Sequence, residues 1–99
     1  MFVMELTYTA PIESVEEEMD AHTAWLDDQY AAGIFLASGR KVPRDGGVIL
    51  AGGVSRTEIE KIAAEDPFVV ANVCTYRITE FIATRTSSDL STVKEIPTV

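Results

Sequence analysis

The apolar residues of this chain recur first every second position, then at helical spacing, then every second position in two short runs, then at helical spacing again, and finally in a β-branched and aromatic run. That order leaves few folds open. Phe2, Met4, Leu6 and Tyr8 alternate with Val3, Glu5 and Thr7, the pattern of a strand with one buried face. Pro11 suits a first helical position, and Glu13, Glu16, Glu17 and Glu18 complement the positive end of a helix that the spacing carries to about Ala32. Gly33 supplies a left-handed stop, after which Ile34 to Ser38 reads as a second strand continuing toward Val42. Pro43-Arg44-Asp45-Gly46-Gly47 is turn chemistry, and Val48 to Ala51 closes a hairpin. Ser55-Arg56-Thr57-Glu58 matches a capping box, so a second helix starts there and must stop near Asp66, ahead of Pro67. Phe68 to Phe81 reads as the longest strand.

Strand, helix, strand, strand, helix, strand is the split βαβ, or ferredoxin-like, order of an α+β domain. Right-handed crossovers put both helices on one face of an antiparallel sheet. The other face is then bare. Read as a strand throughout, 68–81 is apolar on both faces, with Val69, Ala71, Val73 and Phe81 opposite Phe68, Val70, Cys74, Tyr76 and Ile78. An apolar open face predicts a homodimer in which two sheets pack face to face as an α+β barrel. Residues 1–82 make the domain, and residues 83–99 form a polar tail or arm.

Ninety-nine residues hold one core and no second domain. A net charge of −8 repels phosphate backbones and anionic lipid, so neither nucleic acid nor membrane is an expected partner. Cys74 is the lone cysteine, a small buried hydrophobe in a strand and consistent with a reducing compartment. With no basic flank or long apolar stretch at the start, the expectation is a cytoplasmic protein.

The chain's single histidine, His22, falls on the apolar stripe of the first helix with Ile12, Val15, Met19, Leu26 and Tyr30. A ring buried there needs a partner. Three roles stand open for it: a neutral core histidine, a general acid/base, or a metal ligand. For metal the spacing is poor, and no metal or cofactor is expected. Asp66, fixed by the Asp-Pro turn, is the leading partner, since a buried carboxylate bonded to one ring nitrogen sets the tautomer and frees the other for proton transfer. The plainer reading of Asp66 is a turn residue. Ser38, Gly39, Arg40 and Lys41 gather small and basic groups at the end of the second strand, suited either to holding an anionic substrate or to a solvated strand end. Trp25 flanks His22 as core or as a wall of the substrate pocket.

Phe2-Val3-x-x-Leu6, a helical histidine before Gly33-Ile34-Phe35-Leu36-Ala37-Ser38-Gly39, the Gly46-Gly47-Val48-Ile49-Leu50 hairpin partner, and Asp66-Pro67-Phe68 form an ordered set. Over residues 1 to about 82 it resembles the YciI-like (YCII-related) family of the dimeric α+β barrel group. That resemblance implies a ferredoxin-like subunit, a face-to-face dimer, and an active site built on His22 and Asp66. Many relatives have Gly-Pro where this chain has Gly39-Arg40, which makes the pocket here more basic. The activities associated with the family are acid/base eliminations on small cyclic or aromatic acids. The leading expectation is therefore a cofactor-free lyase or isomerase that moves a proton on a small organic acid. A non-catalytic module binding a ligand or partner in the same pocket, and an oxygenase on the same fold, are the competing readings.

Overall fold

The structure, a computed structural model, describes residues 1–97; the last two residues of the expected tail lie outside the described residues. Four strands, β1 (Phe2–Tyr8), β2 (Phe35–Arg40), β3 (Gly46–Ala51) and β4 (Cys74–Glu80), form one antiparallel sheet in the order β2-β3-β1-β4. The helices are α1 (Ile12–Glu17), α2 (Met19–Ala31), α3 (Arg56–Ala64) and α4 (Pro67–Val70). This is the expected ferredoxin-like α+β topology. Phe2, Met4 and Leu6 point into the core with Ile49, Ala51, Val15, Ile59 and Phe68.

The first helical stretch is not continuous, as its spacing predicts, but breaks at Glu18 (φ −100°, ψ 2°). Acidic residues late in α1 oppose its negative end. Ending the helix there makes Glu18 and Asp20 residents of a new positive end, that of α2, where the same charges are favourable. The break also turns α2, so that His22 and Trp25 are its buried residues while Tyr30 is exposed. The hairpin is shifted as well, with β2 stopping at Arg40 and β3 starting at Gly46. Gly46 is paired with Thr7, and a Cβ built on it would lie 1.8 Å from the Leu6 carbonyl oxygen. Only glycine lets β3 approach β1 so closely.

Ser55 caps α3 by accepting the Glu58 N–H at 3.1 Å, and its own hydroxyl donates to the Glu58 carboxylate at 3.3 Å. Beyond Asp66 the expected long strand is corrected: residues 67–70 form the short helix α4, and β4 begins only at Cys74. An aspartate that accepts the Phe68 N–H, followed by proline at the first helical position, is a helix start, and it overrides the β-preference of Val69 and Val70. Asn72 in the left-handed region (φ 59°) ends the turn. The apolar second face expected for strand four therefore does not form; Thr75, Arg77 and Thr79 stand on the open face instead. Val3, Val48 and Leu50 supply its apolar part.

The tail runs extended to a 3₁₀ turn at Ser88–Val93 and folds back. Glu95 receives the Ala83 N–H at 2.7 Å and the Met1 ammonium at 2.8 and 2.9 Å. These bonds hold the Glu95 carboxyl below the usual glutamate range, the Ala83 N–H contributing most and the ammonium next. A lowered folded-state value means that the stabilisation is complete above the unfolded value and is lost as pH falls through the folded one. Acidification below about pH 4, the ordinary glutamate value, is thus expected to release the tail. Amide exchange at Ala83 should rise there while that of β1 stays slow, and Glu95→Gln should show the same rise at neutral pH. In urea titrations, Gly46→Ala should cost about 3 kcal/mol or more by opening the β1–β3 ladder. Gly39→Ala, whose Cβ meets nothing within 4 Å, should leave the midpoint nearly unchanged.

Candidate active site

His22 enters the core from α2, and three contacts fix its ring. It stacks on Phe68 with centroids 3.8 Å apart and planes 6° from parallel, it lies 5.6 Å from the Trp25 ring, and its Nδ1 is 2.8 Å from Asp66 Oδ1. Asp66 is fully buried. An ionised carboxylate in that setting must be surrounded by donors. Its Oδ1 also accepts the Phe68 N–H at 2.9 Å, and its Oδ2 accepts the Tyr76 hydroxyl at 2.5 Å. One side chain thus caps α4, holds β4 and orients the histidine.

The protonation pattern follows from the donors. Burial, and then the negative charge and hydrogen bond of Asp66, push the Tyr76 phenol well above the usual tyrosine range, so it keeps its proton and donates. Asp66 is left as an acceptor, and Nδ1 of His22 carries the hydrogen between them. Nε2 of the neutral ring then presents a lone pair and has no hydrogen-bond partner among the described residues. Cys74, next to this cluster in β4, is pushed up to about 12 by burial and then by the Asp66 charge. It is a thiol, not a nucleophile.

The open edge of His22 lines a cavity of about 240 Å³ between α2 and the sheet. Its walls are Met19, Thr23 and Leu26 of α2, Leu6 and Tyr8 of β1, and Phe68 of α4. The floor is Gly46 to Ile49 of β3, and Ser38, Gly39 and Arg40 of β2 form the remaining side. In the β2–β3 register Ser38 lies opposite Ile49 and Arg40 opposite Gly47, so both belong to the helix-covered face. Ser38 Oγ and Tyr30 Oη are 2.6 Å apart and tie α2 to β2 beside the cavity.

Of the residues singled out in the sequence, His22, Asp66, Ser38, Gly39 and Arg40 come together. Lys41 does not join them, since its Nζ reaches Glu5 Oε1 at 3.1 Å and Thr7 Oγ1 at 3.2 Å. Trp25 sits behind His22, edge-on to Phe35 at 5.2 Å, outside the cavity lining. Arg44 turns to Glu16 at 3.4 Å. Tyr76 and Thr23 are the polar members of the cluster that sequence reasoning passes over. Tyr76 is assigned correctly to the Cys74 face of strand four, but its partner becomes visible only when the Asp66 turn is seen above it. Among the described residues no three His, Cys, Asp or Glu side chains gather as a metal-binding group, and no helix is long and apolar enough to cross a membrane.

This fold occurs in a known enzyme structure. The 5-chloro-2-hydroxyhydroquinone dehydrochlorinase from Burkholderia phenoliruptrix AC1100, solved in complex with 2,5-dihydroxybenzoquinone, superposes with a TM-score of 0.68 at 16% identity, over 82% of this chain and 93% of that one. Among curated proteins none matches this sequence. The model of the YCII-related domain matches residues 1–82, and with most of the chain so covered, this protein belongs to the YCII-related domain family.

Proposed function

We propose that this protein is a small enzyme in which His22 Nε2 acts as general base, and afterwards as general acid, on a small anionic organic substrate. The observation that carries this reading is the asymmetry of the His22 ring: Nδ1 is closed off by a fully buried carboxylate, and Nε2 is unpartnered at a cavity. A base in this position takes a proton from a carbon or hydroxyl of the substrate, and Asp66 offsets the charge of the imidazolium that forms. Arg40 lines the same cavity, makes no ion pair among the described residues, and is suited to hold a carboxylate or phenolate oxygen on which charge develops. Ser38 and Gly39 shape the wall beside it, whereas Lys41 and Trp25 stay outside the cavity, one holding the strand end and the other packing behind the ring.

The reaction class is proton abstraction leading to isomerisation or elimination. The structural neighbour is named for loss of hydrogen chloride from a chlorinated trihydroxybenzene, and a cavity of about 240 Å³ suits a molecule of that size. In such an elimination the base removes a proton, the electron pair moves into the ring system, and chloride leaves. The chemistry is read as needing neither metal nor cofactor, and the protein as cytoplasmic. A homodimer through the open sheet face belongs to the same reading, supported by Val3, Val48 and Leu50 on that face. Sedimentation showing a monomer at micromolar concentration would remove the dimer alone.

With 5-chloro-2-hydroxyhydroquinone as first substrate, chloride release is expected from the wild type. His22→Gln, which keeps a donor for Asp66, should lower it by about 10²-fold or more with the circular dichroism spectrum unchanged. Asp66→Asn should lower it by a similar factor, and Arg40→Ala should act mainly on KM. Unchanged release by His22→Gln would remove His22 from the mechanism. If no chloride is released yet 2,5-dihydroxybenzoquinone quenches Trp25 fluorescence saturably, the protein is the non-catalytic ligand-binding module instead.

A further inference from the structure

We propose that Tyr76 is a positioning residue of this site, whose hydroxyl locks the Asp66 carboxylate and thereby fixes which nitrogen His22 offers to the cavity; the proposal rests on the general-base reading above. The two oxygens of Asp66 are held unequally. Oδ1 is shared by the Phe68 N–H and His22 Nδ1, both from the α4 and α2 side. Oδ2 has Tyr76 alone, reaching up from β4. A partial twist of the carboxylate about its Cβ–Cγ bond would swing Oδ1 out of line with His22 Nδ1 and leave the ring free to change tautomer. The hydroxyl of Tyr76 prevents that.

Two further features make the lock one-directional. Tyr76 also lines a second recess of about 370 Å³, with Cys74, Ile78 and Val69, which shares no lining residue with the cavity. The residue that bonds Oδ2 is thus also one that borders the recess, which Asp66 itself does not line. Because Tyr76 retains its proton and spends it on Oδ2, Asp66 has no proton acceptor behind it. A proton taken by Nε2 cannot be passed through Asp66 to the recess, and it must leave again on the cavity side. His22 is thereby confined to returning its proton to product, leaving group or cavity water, which suits an isomerisation or elimination.

The lone histidine makes the test unambiguous, since every imidazole signal belongs to His22. In ¹⁵N-labelled wild type, long-range proton–nitrogen spectra of the neutral ring should show one protonated nitrogen, Nδ1, and one unprotonated, Nε2, with widely separated shifts. In Tyr76→Phe the two nitrogen shifts should move toward each other as both tautomers become populated. Loss of thermal stability is expected from any role of Tyr76 and does not enter the readout. A second measurement needs no variant: the Tyr76 hydroxyl proton should appear in the wild-type spectrum as a slowly exchanging signal, with cross-peaks to its own ring. Its absence would overturn the lock. So would a Tyr76→Phe protein whose His22 nitrogens remain as separate as in wild type. A wild-type ring protonated at Nε2 would overturn the general-base reading itself, and the lock with it, so the two failures are distinguishable.

Discussion

A carboxylate carried out of water must find a donor for each of its oxygens or the fold does not keep it, and Asp66 meets that condition with groups from three separate elements. The caps, the strand and the helix that meet there are positioned by one buried charge. Removing any donor leaves a deficit of about 1–3 kcal/mol for the unsatisfied group, so α2, α4 and β4 are held in mutual register by a term each would lose alone. The stacking of Phe68 on His22 belongs to the same arrangement, because Phe68 is also the residue whose N–H caps onto Asp66. Its main chain and side chain grip the pair from both ends.

This interior order contrasts with the charge distribution outside. The protein carries −8 overall, which by itself discourages an anionic ligand. At physiological ionic strength, however, exposed charges are screened beyond about 8 Å, and what a molecule in the cavity meets is chiefly local: Arg40, the open edge of His22 and the main chain of the glycines. Other basic groups of the hairpin are already committed, Lys41 to Glu5 and Arg44 to Glu16. Acidic side chains thus engage the hairpin cations that are turned from the cavity and leave the one that lines it.

Much of this was legible in the chain, and the parts that were not share a cause. The alternation of β1 and the Ser55 cap come from local patterns and stand where those patterns put them, the hairpin with them but for shifted ends, and the His22–Asp66 contact follows once the topology brings the start of α4 against α2. Residues 67–70 were misleading because β-branched side chains outweighed an Asp-Pro start that satisfies a helix end completely. The break at Glu18 was hidden because no proline or glycine marks it; it is made by the distribution of negative charge. Lys41 shows a further limit. Proximity in sequence to Arg40 says nothing of side, and neighbouring residues of a strand face opposite ways.

The glycine floor has a consequence for how such a pocket changes over generations. Where side chains line a cavity, each substitution alters both its shape and the packing behind it. Here the β3 part of the floor is main chain in which Gly46 is held by a neighbouring carbonyl and Gly47 would bring a Cβ to 3.0 Å of the Gly39 oxygen, so those positions are closed to variation. Gly39 lends the wall only its main chain, since a Cβ there would meet nothing within 4 Å and would point, with Val48, to the open sheet face. Drift in substrate preference is therefore channelled through the β2 side chains that do face the cavity, Ser38 and Arg40, which can be exchanged without touching the carboxylate on which the rest of the molecule is hung.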